Sequence, residues 1–348
     1  MSRQRNWTRN AIALLAAAGT ALSLGACSSS AGASSGADGE GAVLKVGLSR
    51  GVPADLMTYV AKNEGFFDQR GVNVELVTMD NANSLATALI SNDIAVDTMV
   101  PALMWPAIDK GACVKAMGGT VGNSMEVIAQ PGTEIKGDPT DPNTTVKNLK
   151  GKTIGVIARG SGTELWISAL LSAAGMDPAK DVTFVAVGAP ATAVQAFKAK
   201  QVDALYYGPT MEEALPPSEV VRVTDIVGRD GNALSPLVQA YYTTSCAAAE
   251  QRPNDIMSYC KAIWDAYDYS QDAKNDEAMG KWLAELIGET PAGGAKAWAT
   301  LKNAFIKPTI QPDAWTAQAP LVASPAPDVP DFASSTYAPC AGGDPRGA

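Results

Sequence analysis

The 348-residue chain contains no histidine. That excludes Ser-His-Asp and Cys-His nucleophilic catalysis, HExxH zinc sites and imidazole proton shuttles. Basic residues are also short, with 27 Lys and Arg against 36 Asp and Glu. A net charge of -9 does not suit nucleic acid, which rewards basic faces. Aromatic residues are only 6% of the chain. Beyond residue 26 nothing approaches the ~18 uninterrupted apolar residues of a membrane span. No CxxC occurs, so neither a metal knuckle nor a thioredoxin-type motif is supported, and no metal or cofactor is expected. Lys150-Gly151-Lys152-Thr153 half-matches a phosphate-binding loop, but it lacks the upstream glycine and precedes a strand rather than a helix.

What is present begins at the N-terminus. Arg3, Arg5 and Arg9 precede the small and apolar run Ala11 to Gly25, the pattern of a secretory signal. Leu24-Gly25-Ala26-Cys27 resembles the bacterial lipobox, which implies cleavage before Cys27 and acylation of its thiol. Residues 1–26 are thus read as a signal peptide and 27–42 as the lipidated cysteine and a flexible Ser/Gly/Ala tether. The mature chain is expected outside the cytoplasm, lipid-anchored to the outer face of the membrane. Removing three arginines and no acid takes its net charge from -9 to -12.

Cys113, Cys246, Cys260 and Cys340 remain, and in an oxidising compartment they suggest two disulfides with three pairings open. Proximity in sequence favours Cys246–Cys260, leaving Cys113–Cys340 to pin the C-terminal tail.

Strand and helix patterns then alternate, which argues for α/β lobes with mostly parallel sheets flanked by helices. Strands are expected at 44–48, 72–76, 94–100, 114–117, 153–157, 182–187 and 202–207. Helices are expected at 53–65, 83–92, 162–174 and 191–200. "LATALISNDIAVDTMVP" and "AVQAFKAKQVDALYYGP" share a helix-to-strand pattern with an Asp in the strand and a Pro near its end. Two similar lobes follow. Ser235 to Thr244 reads as a strand returning to the first lobe. Apolar stripes such as Ile256/Cys260/Ile263 and Met279/Leu283/Leu286 read as core. Pro-rich sequence from Pro320 reads as a surface tail.

Three segments together carry a family likeness. "KVGLSRGVPADLMTYVAKNEGFFDQRGVNVELV", "LKGKTIGVIARGSGTELWISALLSAAGMDPAKDVTFVAVG" and "AFKAKQVDALYYGP" resemble ABC-transporter substrate-binding proteins of the nitrate/sulfonate/taurine and thiamine-pyrimidine type. The resemblance implies the two-lobed type II periplasmic-binding-protein fold with the ligand in a cleft. It implies lobe I from 43–126 plus 238–335, lobe II from 127–237, and a tail from 336–348. The hinge is then expected near Val127-Ile128 and Val238–Tyr241. One departure stands out: the family strand after "VDA" often ends in Trp-Glu-Pro, whereas this one ends in Tyr207-Gly208-Pro209.

Ligands of open α/β sheets sit beyond the carboxyl ends of strands. That rule selects Ser49, Arg50 and Gly51, where Arg50 suits an anion, and Asn81, which also reads as a helix cap. It further selects Pro101 and Ala102, and Ser124 and Met125 beside Asn123. The fifth loop is Arg159-Gly160-Ser161-Gly162-Thr163. Here backbone N–H groups at a helix N-terminus can face an anion, aided by the helix dipole, with the amides of Gly162 and Thr163 available beside Ser161. Ser161 and Glu164 equally read as a capping box. Of Tyr206 and Tyr207, alternation puts one on the cleft side, and Tyr207 is the choice.

The expected function is an extracytoplasmic binding protein rather than an enzyme, delivering a small solute to ABC permease subunits and working as a monomer. Arg50 and the helix N-terminus point to an anion such as a sulfonate. Trp105, Met125, Tyr206 and Tyr207 point instead to a flat heterocycle. A tethered sensor is a further reading, and a carboxylate-only enzyme using Glu212 and Glu213 a remoter one. Fungal thiamine-pyrimidine synthases of similar fold need histidine, which is absent here.

Overall fold

The computed structural model describes residues 42–79, 82–323 and 325–347. The signal, the tether up to residue 41, Cys27 and Asn81 lie outside the described residues. No described helix is long and apolar enough to cross a membrane.

Among the described residues, ten strands form two five-stranded sheets. They are β1 (Leu44–Ser49), β2 (Val74–Met79), β3 (Val96–Met99), β4 (Val114–Gly119), β5 (Glu126–Ala129), β6 (Thr153–Val156), β7 (Thr183–Ala186), β8 (Ala204–Tyr207), β9 (Val221–Arg222) and β10 (Tyr241–Ser245). The sheet of lobe I has the order β2-β1-β3-β10-β4, and that of lobe II β7-β6-β8-β5-β9. In lobe I, β1 runs parallel to β2 and β3, while β10 is antiparallel to β3 and β4. In lobe II, β6 runs parallel to β7 and β8, while β5 is antiparallel to β8 and β9. Each sheet therefore has four strands in one direction and one against it. In each case the reversed strand is the one that follows a crossing from the other lobe.

β1 buries every residue but Lys45, and β8 buries all four, as expected for central strands covered on both faces. The covering helices of the repeated units are α1 (Leu56–Asn63), α2 (Ala82–Ile90) and α3 (Pro101–Asp109) in lobe I, then α4 (Gly162–Ala173) and α5 (Pro190–Lys198) in lobe II. Three long helices, α6 (Pro253–Gln271), α7 (Asp276–Ile287) and α8 (Pro291–Leu301), complete lobe I. Their stripes Ile256/Tyr259/Ile263, Met279/Leu283/Leu286 and Trp298/Leu301 enter the same buried cluster as Leu44, Val46 and Val60. A second cluster on the other face of this sheet gathers Leu85, Leu89, Met104, Trp105, Tyr241 and Trp315.

The chain crosses between lobes at Thr120–Met125 and again between β9 and β10. The expected strand over Ser235–Thr244 is shorter than read: it begins at Tyr241. The preceding residues instead form the second crossing, with Gln239 N–H donating to Val121 O at 2.9 Å. A third crossing was not foreseen. Ala319–Val322 packs on α4, and Leu321 joins the lobe II core. Gln318, fully buried, accepts from Val238 N–H at 3.0 Å and donates to Pro236 O, tying this crossing to the second.

The disulfides are Cys113–Cys246 and Cys260–Cys340, with Cα separations of 5.4 and 6.0 Å. The expected pairs Cys246–Cys260 and Cys113–Cys340 are both corrected. Strand register is the reason: Ser245 of β10 pairs with Val114 of β4, so Cys246 lies beside Cys113 and donates its N–H to the Cys113 carbonyl at 3.0 Å. Cys340 is thereby free to meet Cys260 in the middle of α6. The tail is not a loose surface tail. Tyr337 N–H donates to Ala116 O at 2.8 Å, Thr336 bridges Ala116 in parallel, and Arg346 reaches Asp265 and Asp268. The segment straps the edge strand β4, whose unpaired groups would otherwise be open to a second chain.

Candidate functional site

The carboxyl ends of the two sheets are linked through the α7–α8 corner. Gly51, just beyond β1, donates its N–H to Leu286 O near the end of α7 at 2.9 Å. Glu289, three residues on, meets Glu213, which follows β8 of lobe II. This chain of contacts places the Ser49–Gly51 loop and the β8 end on a common side of the molecule, where a cleft between lobes would open.

On the lobe I side, Ser49 closes β1 and is nearly buried. Its N–H donates to Asp55 Oδ2 at 2.7 Å, the first residue of the loop being held by an acid beneath it. Asp55 is buried, and desolvation pushes its carboxyl up to about 7. The Asp55 Oδ1 atom has no hydrogen-bond partner among the described residues. Arg50 is exposed and makes no ion pair among the described residues, so its guanidinium remains available to a solute.

On the lobe II side, the loop after β6 ends at the start of α4. Gly160 takes φ +73°, a left-handed turn that glycine adopts without strain. The capping-box reading does not hold. Ser161 has cap backbone angles but no side-chain cap bond; its hydroxyl shares a 2.8 Å bond with Thr163 Oγ1. Thr163 Oγ1 also accepts the Ile157 N–H at 3.1 Å. Glu164 turns back past Ser161: Oε2 accepts from Gly160 N–H at 2.9 Å and from Arg159 Nε at 2.8 Å, and Oε1 accepts from Arg159 Nη2 at 3.1 Å. The backbone N–H groups of Gly162, Thr163 and Glu164 thus meet no acceptor among the described residues. Three open amides at the positive end of a 12-residue helix form an anion-binding arrangement.

Between the lobes, Ser124 Oγ accepts from Gln239 Nε2 at 2.5 Å, joining the first and second crossings. Asn123 stitches the same turn: its Oδ1 accepts from Met125 N–H at 3.1 Å and its Nδ2 donates to Met125 O at 2.9 Å. Glu126, at the start of β5, is ion-paired with Arg222, yet burial still pushes its carboxyl up to about 7.

The remaining candidates fall elsewhere. Met125 lies in the lobe II core. Pro101 is buried as the first residue of α3, while the exposed Ala102 joins Ile90, Leu103 and Pro106 along a surface groove between α2 and α3. Tyr207, chosen for the cleft side, is 1% exposed, and its hydroxyl donates to Leu215 O at 2.7 Å. Tyr206 is also buried and donates to Gly188 O at 3.1 Å; burial raises its hydroxyl to about 12. Trp105 packs against Trp315 at 5.4 Å in the lobe I core. The carriers of the heterocycle reading are therefore core residues. Glu212 accepts from Thr300 Oγ1 across the lobes at 3.1 Å. No group of described residues has the make-up of a metal site. Reading by residue type passed over Asp55 and Gln239, because neither burial nor non-local pairing leaves a mark in a single sequence.

A family model described as NMT1/THI5 like matches residues 53–276. No curated protein matches this chain. Solved structures share the fold. The periplasmic aliphatic sulphonate binding protein SsuA from Escherichia coli superposes with TM-score 0.65 at 17% identity, covering 85% of this chain and 92% of that one. The alkanesulfonate-binding protein SsuA from Xanthomonas axonopodis pv. citri, bound to MOPS, gives 0.59 at 19%, covering 86% and 99%. The periplasmic nitrate-binding protein NrtA from Synechocystis PCC 6803 gives 0.54 at 16%, covering 72% and 68%. These likenesses establish a two-lobed, type II periplasmic-binding-protein fold. With its model spanning well over half of the sequence, the family is shown: the chain belongs to the NMT1/THI5-like family.

Proposed function

We propose that this protein is an exported solute-binding lipoprotein, tethered through Cys27, that captures a small anionic solute and delivers it to an ABC permease. The observation that carries the reading is the set of open amides of Gly162, Thr163 and Glu164, complemented by the unpaired Arg50 on the other lobe. The binding residues are Ser49, Arg50 and Gly51 from lobe I and Ser161, Gly162 and Thr163 from lobe II, with Ser124 at the hinge. Sulfonate and nitrate ligands named for proteins of this fold suit the same chemistry. Capture is by lobe closure about the crossings, a hinge motion that removes the solute from water.

A thermal-shift panel of ethanesulfonate, taurine, nitrate, amino acids and pyrimidines tests this. An anion at ~100 times its Kd adds about 2.7 kcal/mol and raises the melting temperature. Arg50→Ala is expected to weaken that anion at least tenfold while leaving the solute-free melting temperature unchanged. Stabilisation by pyrimidines alone would replace the anion reading with the heterocycle.

A further inference from the structure

Besides the crossings, the lobes meet at a seam rich in carboxyl groups. On the lobe II side it is the turn Pro209–Met211, whose Met211 is locked into the lobe II core, followed by Glu212 and Glu213. On the lobe I side it is the α7–α8 corner, held by Leu283, Leu286 and Trp298 in the lobe I core. Side chains of the two lobes meet across the seam. Thr300 Oγ1 donates to Glu212 Oε1 at 3.1 Å. The carboxyl groups of Glu213 and Glu289 face each other across it, Glu213 raising the cost of ionising Glu289. They converge over Gly293 in the first turn of α8: a Cβ there would lie 3.0 Å from Glu289 Oε2 and 3.5 Å from Glu213 Oε2.

The two contacts differ in their need for a proton. A hydroxyl donates to an ionised carboxylate, so Thr300–Glu212 persists at neutral pH. Two carboxyl groups bond only when one carries a proton; both ionised, they repel. The basic groups at the seam, Lys296 on α8 and Arg222 on β9, act on Glu212. Glu289 is held above the ordinary carboxylate range by desolvation and by Glu213, against the opposing Thr290 backbone N–H.

We propose that Glu213 and Glu289 form an acid-strengthened latch between the lobes, so that lobe closure is favoured as the medium acidifies. A proton on Glu289 replaces a repulsion across the seam with a hydrogen bond, while Thr300–Glu212 joins the lobes at neutral pH as well. The inference rests on the proposed function only in taking lobe closure as the working motion.

The test is the interlobe distance in the full chain, read by electron-electron resonance between nitroxides on Asp68→Cys and Lys198→Cys. The four cysteines of the described lobes are paired, and Cys27→Ser removes the fifth thiol, so the labels are selective. Without solute, the mean distance is expected to shorten from pH 7.5 to pH 5. In Glu213→Gln with Glu289→Gln, whose amides bond without an added proton, that dependence is lost and the short distance holds at both pH values. A wild-type distance indifferent to pH, or a dependence surviving in the double variant, overturns the latch. Saturating ethanesulfonate is the control. If acid closes the lobes and ethanesulfonate does not, the anion reading fails and the latch stands. If ethanesulfonate closes them and acid does not, only the latch fails.

Discussion

The Asp55 carboxylate accepts the backbone N–H of Ser49 at 2.7 Å from a position buried beneath the loop that follows β1. Asp97 lies near enough for its charge to push Asp55 further upward. The loop that carries Arg50 is therefore anchored on an acid whose ionised form the fold disfavours.

Stability should consequently depend on pH in the direction opposite to ordinary acid denaturation. Asp55 is raised to about 7, Asp97 to about 6 and Glu126 to about 7, all mainly by desolvation. The unfolded chain loses these protons near pH 4 and the folded chain much later, so the folded state binds more protons in between. Their contribution is full below the unfolded value and is lost as pH rises through 6 to 7. The melting temperature is expected to fall between pH 5 and pH 8. Asp55→Asn, neutral at both values, should narrow that fall. A melting temperature that rises over this range would contradict the assignment.

The C-terminal strap should be a stabilising part of lobe I. Cys260→Ser with Cys340→Ser opens a link of 80 residues' separation and is expected to cost roughly 2–4 kcal/mol. Non-reducing peptide mapping should recover Cys113 joined to Cys246 and Cys260 joined to Cys340. A Cys246–Cys260 peptide would contradict the strand register.

The third crossing predicts an unusual distribution of effects. Leu321 lies between two lobe I segments in sequence, α8 and the C-terminal strap, yet is buried in the lobe II core. Leu321→Ala should cost about 2–5 kcal/mol by transfer and cavity effects. Amide exchange should quicken first in α4, against which Ala319–Val322 packs. Quickening confined to lobe I would show that the segment does not dock as described.

Helices α7 and α8 pack so closely that Gly294 has no room for a side chain: a Cβ would lie 2.4 Å from Gly280 O and from Ala284 Cβ. Gly294→Ala should destabilise by about 1–3 kcal/mol, read as a lower urea midpoint. Since the same corner receives Gly51 and Glu213, the loss should also weaken solute binding.

Much of this architecture is legible in the sequence because parallel strands buried on both faces read as short apolar runs. Leu44–Leu48, Thr153–Val156 and Ala204–Tyr207 are such runs, and Gly160 and Ser161 mark the start of α4. What is illegible depends on distant partners. β5 and β9 are short antiparallel strands whose pairing is set by the crossing. The alternation argument at Tyr206 and Tyr207 fails because that strand is covered on both faces, so both rings are buried. The disulfides follow the β4–β10 register rather than sequence distance. Asp55 looks like any turn aspartate until Ser49 and Asp97 close around it.

The most direct measurement is amide hydrogen exchange with and without the anion that most raises the melting temperature, from ethanesulfonate, taurine and nitrate. The account predicts slowing at Gly162, Thr163 and Glu164 on lobe II together with slowing at Ser49–Gly51 on lobe I. An anion that stabilises the protein yet leaves both loops unchanged would contradict it.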